Sequence, residues 1–255
     1  MIDHLVETDF KAVDKRDGVA AATGYLLGDT DRVPIVTDHE RPWGVLNERG
    51  FMRTRVHPYE RVENYTLGTG ALTTDLTLEE TVRRMAAASV DHFPVEERGR
   101  LIGYVSALRV LEELEVDLPA HRLLDEVPHL REDQSAGDAI HFFHDTKVAV
   151  LPVVDASGHL AAVLHRRDIV PIGLNNDRGL GGRTYAGGER NHFSDIEVKG
   201  LMETSYGTVR PNDAFDHVVE VLKQFRAAVV VDEQDRPLGV ITPTGAVKRI
   251  APELS

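Results

Sequence analysis

DHFPVEERGRLIGYVSALR, residues 91–109, carries the pattern on which the fold turns: a short apolar strand, a polar turn and a second apolar strand. The pattern recurs as DRVPIVTDHERPWGVLNERG (31–50), KVAVLPVVDASGHLAAVLHRRD (147–168) and FRAAVVVDEQDRPLGVITPTG (225–245). Aligned, the four place Pro34, Pro94, Pro152 and Val229 at one position and Gly44, Gly103, Ala162 and Gly239 at a second, nine or ten residues later. A motif repeated at a fixed period announces an array of similar units. The strands VPIV, FPV, VAVLPVV and AAVVV are apolar almost throughout, which suits strands covered on both faces. Their separators TDHER, EERGR, DASGH and DEQDR are polar and turn-like.

Working back from each strand pair, the sequence predicts a helix. Thr77 begins T-x-x-E with Glu80, a capping box, and Leu78, Val82 and Met85 fall on one helical face. Ser135 with Asp138 is the analogous start in the third repeat, and Asn212 precedes Phe215, Val218, Val219 and Leu222 in the fourth. Asp17 is the plausible cap in the first, before Val19, Ala20 and Leu26. Units of about 50 to 60 residues are marginal alone, so the repeats are expected to pair and bury their remaining apolar faces, four repeats giving two pairs. An ordinary doubly wound α/β domain is the competing architecture. It requires single strands alternating with helices, whereas here strand pairs follow each helix.

The stretches LPVVDASGHLAAVLHRRDIV, FPVEERGRLIGYVSALRVL, TVRPNDAFDHVVEVL and VVVDEQDRPLGVIT resemble the cystathionine-beta-synthase (CBS) repeat family, from about His4 to Leu254. The resemblance implies an α/β (α+β) fold of four tandem βαββα repeats, arranged as two modules of pseudo-twofold symmetry with up to two clefts in each. The repeats fall at 4–57, 62–115, 119–174 and 195–254, and the modules at 1–117 and 118–255. In outline this is similar to the gamma subunits of AMP-activated kinase and to archaeal CBS-repeat proteins. The connections RTRVHPYERVENYTLG (53–68) and EVDLPAHRLLDE (115–126) read as polar hinges. The longest, 172–202, is glycine-rich and carries Arg178, Arg183 and Arg190, a composition that suits either an anion-wrapping loop or a plain linker. GLGGRTYAGG within it matches neither a P-loop nor a dinucleotide fingerprint.

Composition narrows the function. The chain has 255 residues, 42% of them apolar, and a formal net charge of −13. That balance argues against nonspecific binding of nucleic acid, which needs cationic surfaces. Without cysteine, disulfides, thiolate metal sites and cysteine nucleophiles are excluded. No apolar stretch approaches the roughly 20 residues of a membrane span, and MIDHLVETDFK lacks signal-peptide features, so a cytoplasmic protein is expected. Only six lysines stand beside many arginines on an acidic chain, which fits a high-salt, halophilic archaeon-like host or a biased genome.

CBS modules that resemble this one hold adenosine compounds through a (Ser/Thr)-x-x-Asp after the second strand. A carboxylate accepts both hydroxyls of a ribose diol, each charge-assisted bond contributing about 1.5 to 3 kcal/mol. The matching pairs are Asn47 with Gly50, Ser106 with Arg109, His165 with Asp168 and Thr242 with Gly245, so only the third repeat keeps the carboxylate. One cleft is therefore expected, between repeats 3 and 4, with Asp168 as ribose anchor. His165 departs from the motif's hydroxyl. Arg167 and Arg226 are candidate phosphate partners, Thr208 a contact to the base, and Val163 part of an apolar slot for adenine. Asp168 equally suits capping the following helix, and Arg226 closing the preceding one against its dipole. His165 and Arg167 equally suit solvated strand ends. In the first module Ser106, Arg32 and His92 offer at most an anion site.

The expected function is a non-catalytic regulatory sensor of AMP, ADP, ATP or S-adenosylmethionine, with a regulated protein partner and a homodimeric assembly. The alternatives are a ligand-free scaffold for association and, last, a metal-dependent enzyme. His141 and His144 share a helix face at a metal-compatible spacing but lack a carboxylate motif, and no G-x-S-x-G elbow or S-x-x-K occurs.

Overall fold

The computed structural model describes residues 1–28, 32–52, 56–57, 59–174 and 193–254. Repeat 1 comprises β1 (Phe10–Asp14), a 3-10 turn running into α1 (Thr23–Leu26), β2 (Val33–Asp38), β3 (Arg41–Leu46) and a closing 3-10 turn, Glu48–Phe51. Repeat 2 comprises β4 (Thr66–Leu67), β5 (Leu72–Thr73), α2 (Leu78–Ala88), β6 (His92–Glu97), β7 (Arg100–Ser106) and α3 (Ala107–Glu112). Repeat 3 follows with β8 (Leu130–Arg131), α4 (Ala136–Thr146), β9 (Val150–Val154), β10 (Leu160–His165) and α5 (Arg166–Leu174). Repeat 4 ends the chain with β11 (Gly207–Val209), α6 (Phe215–Phe225), β12 (Ala228–Val231), β13 (Pro237–Ile241) and α7 (Pro243–Ile250). In each repeat the strand before the helix runs parallel to the one after it, which pairs antiparallel with the last.

Two of the four expected caps form as read. Thr77 and Glu80 exchange bonds at the start of α2, as do Ser135 and Asp138 at the start of α4. The other two are corrected. Ala214 precedes α6 without a side-chain cap, and Asn212 stands two residues earlier. Gly18 leads into the first repeat's 3-10 turn, while the Asp17 carboxylate accepts the Asp14 N–H in the turn before it. The helix ahead of the central strand in each repeat, α1, α2, α4 and α6, is followed by a residue in the left-handed region, Gly28, Ser89, Lys147 and Arg226 (φ 75°, 56°, 63° and 60°). After α2, α4 and α6 this lets the chain reverse at once into the central strand.

The strand register also moves one aligned position. Pro94 opposes Tyr104, Pro152 opposes Val163 and Val229 opposes Val240, but in repeat 1 it is Ile35 that opposes Val45. Ile35, not Pro34, is the equivalent residue. The first two hairpins share a two-residue turn, His39–Glu40 and Arg98–Gly99, each with both residues at positive φ.

The repeats are locked in pairs by exchanged leading segments. Glu7 pairs with Tyr104, so the segment before repeat 1 adds to the sheet of repeat 2. In return β4, which leads into repeat 2, pairs with β3 of repeat 1. The second module does the same: Asp125 pairs with Val240, and Glu203 with Val163. Each contact falls one residue after the recurring small residue of the alignment. A Cβ at Gly44, Gly103 or Gly239 would collide with the carbonyl oxygen of Leu67, Glu7 or Asp125. The fourfold glycine-or-alanine position therefore marks where a foreign backbone crosses.

The crossing also corrects the hinge reading of both connections. Ala120 and Leu123 are fully buried, with backbone bonds from Ala120 and His121 to Asp213 and Pro211 of repeat 4. Val56, Val62 and Tyr65 are buried in the earlier connection. Within a module the sheets face one another, while between modules it is the helices that meet: α2 and α3 against α6 and α7, and α1 and the Glu48–Phe51 turn against α5. Repeat 1 thus lies beside repeat 3, and repeat 2 beside repeat 4.

Candidate functional site

Four repeats in this arrangement leave a space at their centre. It is a cavity of about 1310 Å³ walled by all four, chiefly by the turn after each helix and the turn after each last strand. Among the described residues, eight Lys and Arg side chains line it against five carboxylates, in a chain whose net charge is −13. Such a wall favours an anionic occupant.

His165, Arg167 and Arg226 all lie on this wall. Asp168 follows them into α5, mostly buried, and its Oδ2 accepts the N–H of His165 at 3.0 Å. Asp168 therefore does not cap a helix that follows it: it lies in the first turn of α5 and reaches back to the N–H that precedes the helix. Burial, and next the charge of Glu203, raise the Asp168 pKa to about 6. His165 is held well below its ordinary pKa, first by burial. Glu203 ties the group together: its carboxylate lies 3.3 Å from Arg167 and 3.6 Å from the His165 ring. Arg167 Nε stands 3.9 Å from Asp168 Oδ1.

Val163 is buried in β10 and exchanges both backbone bonds with Glu203. Thr208 is an exposed residue of β11 opposite Val229, outside the cavity wall. Arg226 closes α6, and no side-chain partner holds its guanidinium among the described residues. In the first module, His92 and Ser106 oppose each other across β6 and β7 and both line the cavity, His92 edge-on against Tyr104 and Ser106 capping α3, whereas Arg32, paired with Asp9 at 2.7 Å, stands off the wall. Arg109, where the motif would have its carboxylate, is bound to Glu112. His141 and His144 are exposed on α4, His141 against Asp145. Arg178, Arg183 and Arg190 lie outside the described residues.

Several residues on or behind the wall escaped the sequence reading. Arg166 reaches across the module boundary to Glu48 of repeat 1 at 3.2 Å, and its buried Nε has no partner among the described residues. Arg49 stands nearby, its pKa lowered by burial and by the charge of Arg166. Glu203 and Asp125 arrive on the leading segments, distant in sequence from the turns they reach. One available signal was Lys147: it closes the helix of its repeat as Arg226 does, and both line the cavity.

No helix among the described residues is long and apolar enough to cross a membrane. No curated protein matches the chain. Among solved structures, a protein of Methanocaldococcus jannaschii described as a candidate archaeal homologue of g-AMPK superposes with a TM-score of 0.77. It is 15% identical, over 96% of this chain and 98% of that one. An uncharacterised conserved protein of Pyrococcus horikoshii gives 0.58 at 13% identity, over 84% and 88%. At such identity the likeness concerns the fold alone. The sequence model of the CBS domain matches residues 71–116, 121–173 and 198–252. Those segments make up more than half of the chain, which belongs to the CBS-domain family.

Proposed function

We propose that this chain is a non-catalytic regulatory sensor that binds an adenine nucleotide, or a relative such as S-adenosylmethionine, in the cleft between repeats 3 and 4. The observation that carries the reading is the excess of cations on the cavity wall beside the buried Asp168 carboxylate, in an otherwise acidic chain. On this reading Asp168 accepts the ribose hydroxyls and Arg226 and Arg167 take phosphate oxygens, with His165 between them. Val163 belongs to the apolar slot for the base on this reading, whereas Thr208, exposed on β11 and outside the wall, is not counted among the contacts. We assign repeat bounds of 4–57, 62–115, 119–174 and 195–254 to match. Nucleotide occupancy would act by favouring one arrangement of the two modules, which a regulated protein partner reads; equal affinity for every arrangement would switch nothing. A homodimer belongs to the same proposal. Helices α2, α3, α6 and α7 already pack together within one chain, so a second copy would meet other faces.

The test is calorimetric titration with AMP. Asp168→Ala is expected to weaken binding at least tenfold with little change in thermal unfolding; unaltered affinity removes the assignment.

The site should also respond to acid. An Asp168 that protonates at about 6 loses one acceptor for the diol, so affinity is expected to fall as pH drops through that value. Stability should move far less. Asp168, with its folded pKa raised, adds stability as pH falls between its folded and unfolded values. His165, with its folded pKa depressed, loses stability as pH falls below its own unfolded value. The two trends oppose each other, with Glu203, Arg167 and Arg226 as the charges facing them. Titrations at about pH 7 and about pH 5, beside unfolding midpoints at the same values, check this. A midpoint that collapses together with the affinity would refute it.

A further inference from the structure

Glu48, the residue after Asn47 in repeat 1, meets Arg166, the residue after His165 in repeat 3, across the module boundary. Glu48 and Arg49 open the 3-10 turn that follows β3, and its last residue, Phe51, is fully buried and stacked on Tyr65 at 4.5 Å. That anchor fixes the turn against α5, which Arg166 opens, and Glu48, Arg49 and Arg166 all line the central cavity.

The charges at this junction do not balance. Arg166 donates from Nη1 to the Val148 carbonyl at 3.1 Å and from Nη2 to Glu48 Oε2 at 3.2 Å, while its buried Nε has no acceptor among the described residues. Arg49 lies within reach of the Arg166 charge and makes no hydrogen bond or ion pair among the described residues. Lys147, one residue before the carbonyl that holds Arg166, brings a further cation to the same cavity. One carboxylate thus answers two guanidinium groups. A half-buried cation left unmatched beside another costs stability, and a buried donor without an acceptor demands an explanation. Guanidinium forks take phosphate oxygens in pairs, and a chain of phosphates carries enough charge to satisfy both groups, where a single carboxylate does not.

We propose that Arg49 and Arg166 form an anion site between repeats 1 and 3, that Glu48 plugs it from within the chain, and that a di- or triphosphate chain displaces the plug. A single inorganic phosphate competes poorly, because Glu48 is tethered beside the site at high effective concentration. Displacement exchanges the ion pair between repeats 1 and 3 for a bridge through the ligand, so occupancy acts directly on the contact between the modules. This site does not depend on nucleotide binding at Asp168 and uses none of the residues assigned to that cleft.

Isothermal titration of the full chain with tripolyphosphate and with ATP, at fixed ionic strength, tests the site. Glu48→Gln keeps the size of the side chain and one acceptor but removes the charge, and should tighten binding by about tenfold. Arg49→Met should weaken it by about tenfold or more, yet unfold no earlier than the parent, because it removes an unpaired cation and leaves the Glu48–Arg166 pair intact. A cation kept only for the fold would give the reverse: lower stability and unchanged affinity. Lys248→Met, on the same wall, is the control and should weaken binding far less. The two titrants also separate the sources of the chain. A free chain shows the Glu48 and Arg49 dependence with tripolyphosphate alone; a chain carried by a nucleotide shows it with ATP and not with AMP. Equal losses from Arg49→Met and Lys248→Met mark diffuse attraction to the wall and overturn the site. Failure of both titrants to bind, or binding of both that ignores Glu48→Gln and Arg49→Met, overturns it too; AMP binding that still depends on Asp168 then leaves the cleft between repeats 3 and 4 standing. Conversely, tripolyphosphate held through Arg49 in a chain with no affinity for AMP upholds this site and removes the other.

Discussion

Gly44→Ala should lower the thermal unfolding midpoint by roughly 6 to 12 °C, the result of about 3 kcal/mol lost in a chain of this size. The methyl would be driven into the carbonyl oxygen of Leu67, with Leu67 C and Gly68 Cα behind it at 2.8 and 3.0 Å. All are backbone atoms. They cannot retreat without breaking the Val45–Leu67 and Leu46–Thr66 pairs that bind repeat 2's leading segment to repeat 1. Gly103→Ala and Gly239→Ala meet the same obstacle at Glu7 and Asp125. Ala162 is the internal control. At the same aligned position it already carries a methyl, fully buried, beside the crossing at Glu203, so Ala162→Gly should cost no more than about 1 kcal/mol. Scanning calorimetry of the four variants checks the ordering. A Gly44→Ala midpoint level with the parent would mean that the exchanged segments are not held as described.

The second large effect belongs to Glu48. Its carboxylate lies between the modules against Arg166, 3.2 Å away, with both side chains at most one-quarter exposed. Arg49 adds a further cation nearby. Glu48→Ala would leave two guanidinium groups on a poorly hydrated wall with only the Val148 carbonyl accepting from Arg166. Breaking such a pair from one side costs about 3 to 5 kcal/mol when fully buried. Discounted for the partial exposure here, about 2 kcal/mol is expected, a midpoint loss near 4 to 8 °C. Replacing both partners should be milder than replacing Glu48 alone, because no charge is then stranded. Denaturant unfolding of Glu48→Ala, Arg166→Met and the double variant measures the coupling. Additive losses would mean that the pair carries no mutual stabilisation.

The repeat and its pairing were legible because hydrophobic period, capping boxes and turn residues all act over short stretches of chain. Thr77 with Glu80 and Ser135 with Asp138 could be read from neighbours alone. Asp17 and Asn212 could not: the turn before the first helix takes the Asp17 carboxylate, and α6 starts two residues beyond Asn212, behind a turn held by Asp213. The small residue shared by Gly44, Gly103, Ala162 and Gly239 was visible as a pattern, but its cause, a backbone from the other repeat, is tertiary. For the same reason the turn residues of the site could be named while Glu203 and Asp125 were not. They reach the turns at Asp168 and Gly245 on segments some 35 and 120 residues away, and nothing in local composition marks the meeting. The hinge reading failed through the same blindness: the alternation of polar residues with Ala120 and Leu123 looks like a linker until the turn between β11 and α6, whose Pro211 and Asp213 carbonyls accept its N–H groups, is known.

The reciprocal exchange of leading segments constrains how such a chain is made. A nascent first repeat leaving the ribosome carries a β3 edge whose cover has not yet been translated, and the third repeat is likewise open along β10 until Glu203 emerges. Neither can complete its sheet alone, so the unit of biogenesis is the pair. Expression fragments ending after an odd repeat would bear a bare strand edge and invite self-association, whereas a cut near residue 117 keeps each exchange whole and exposes only helix faces.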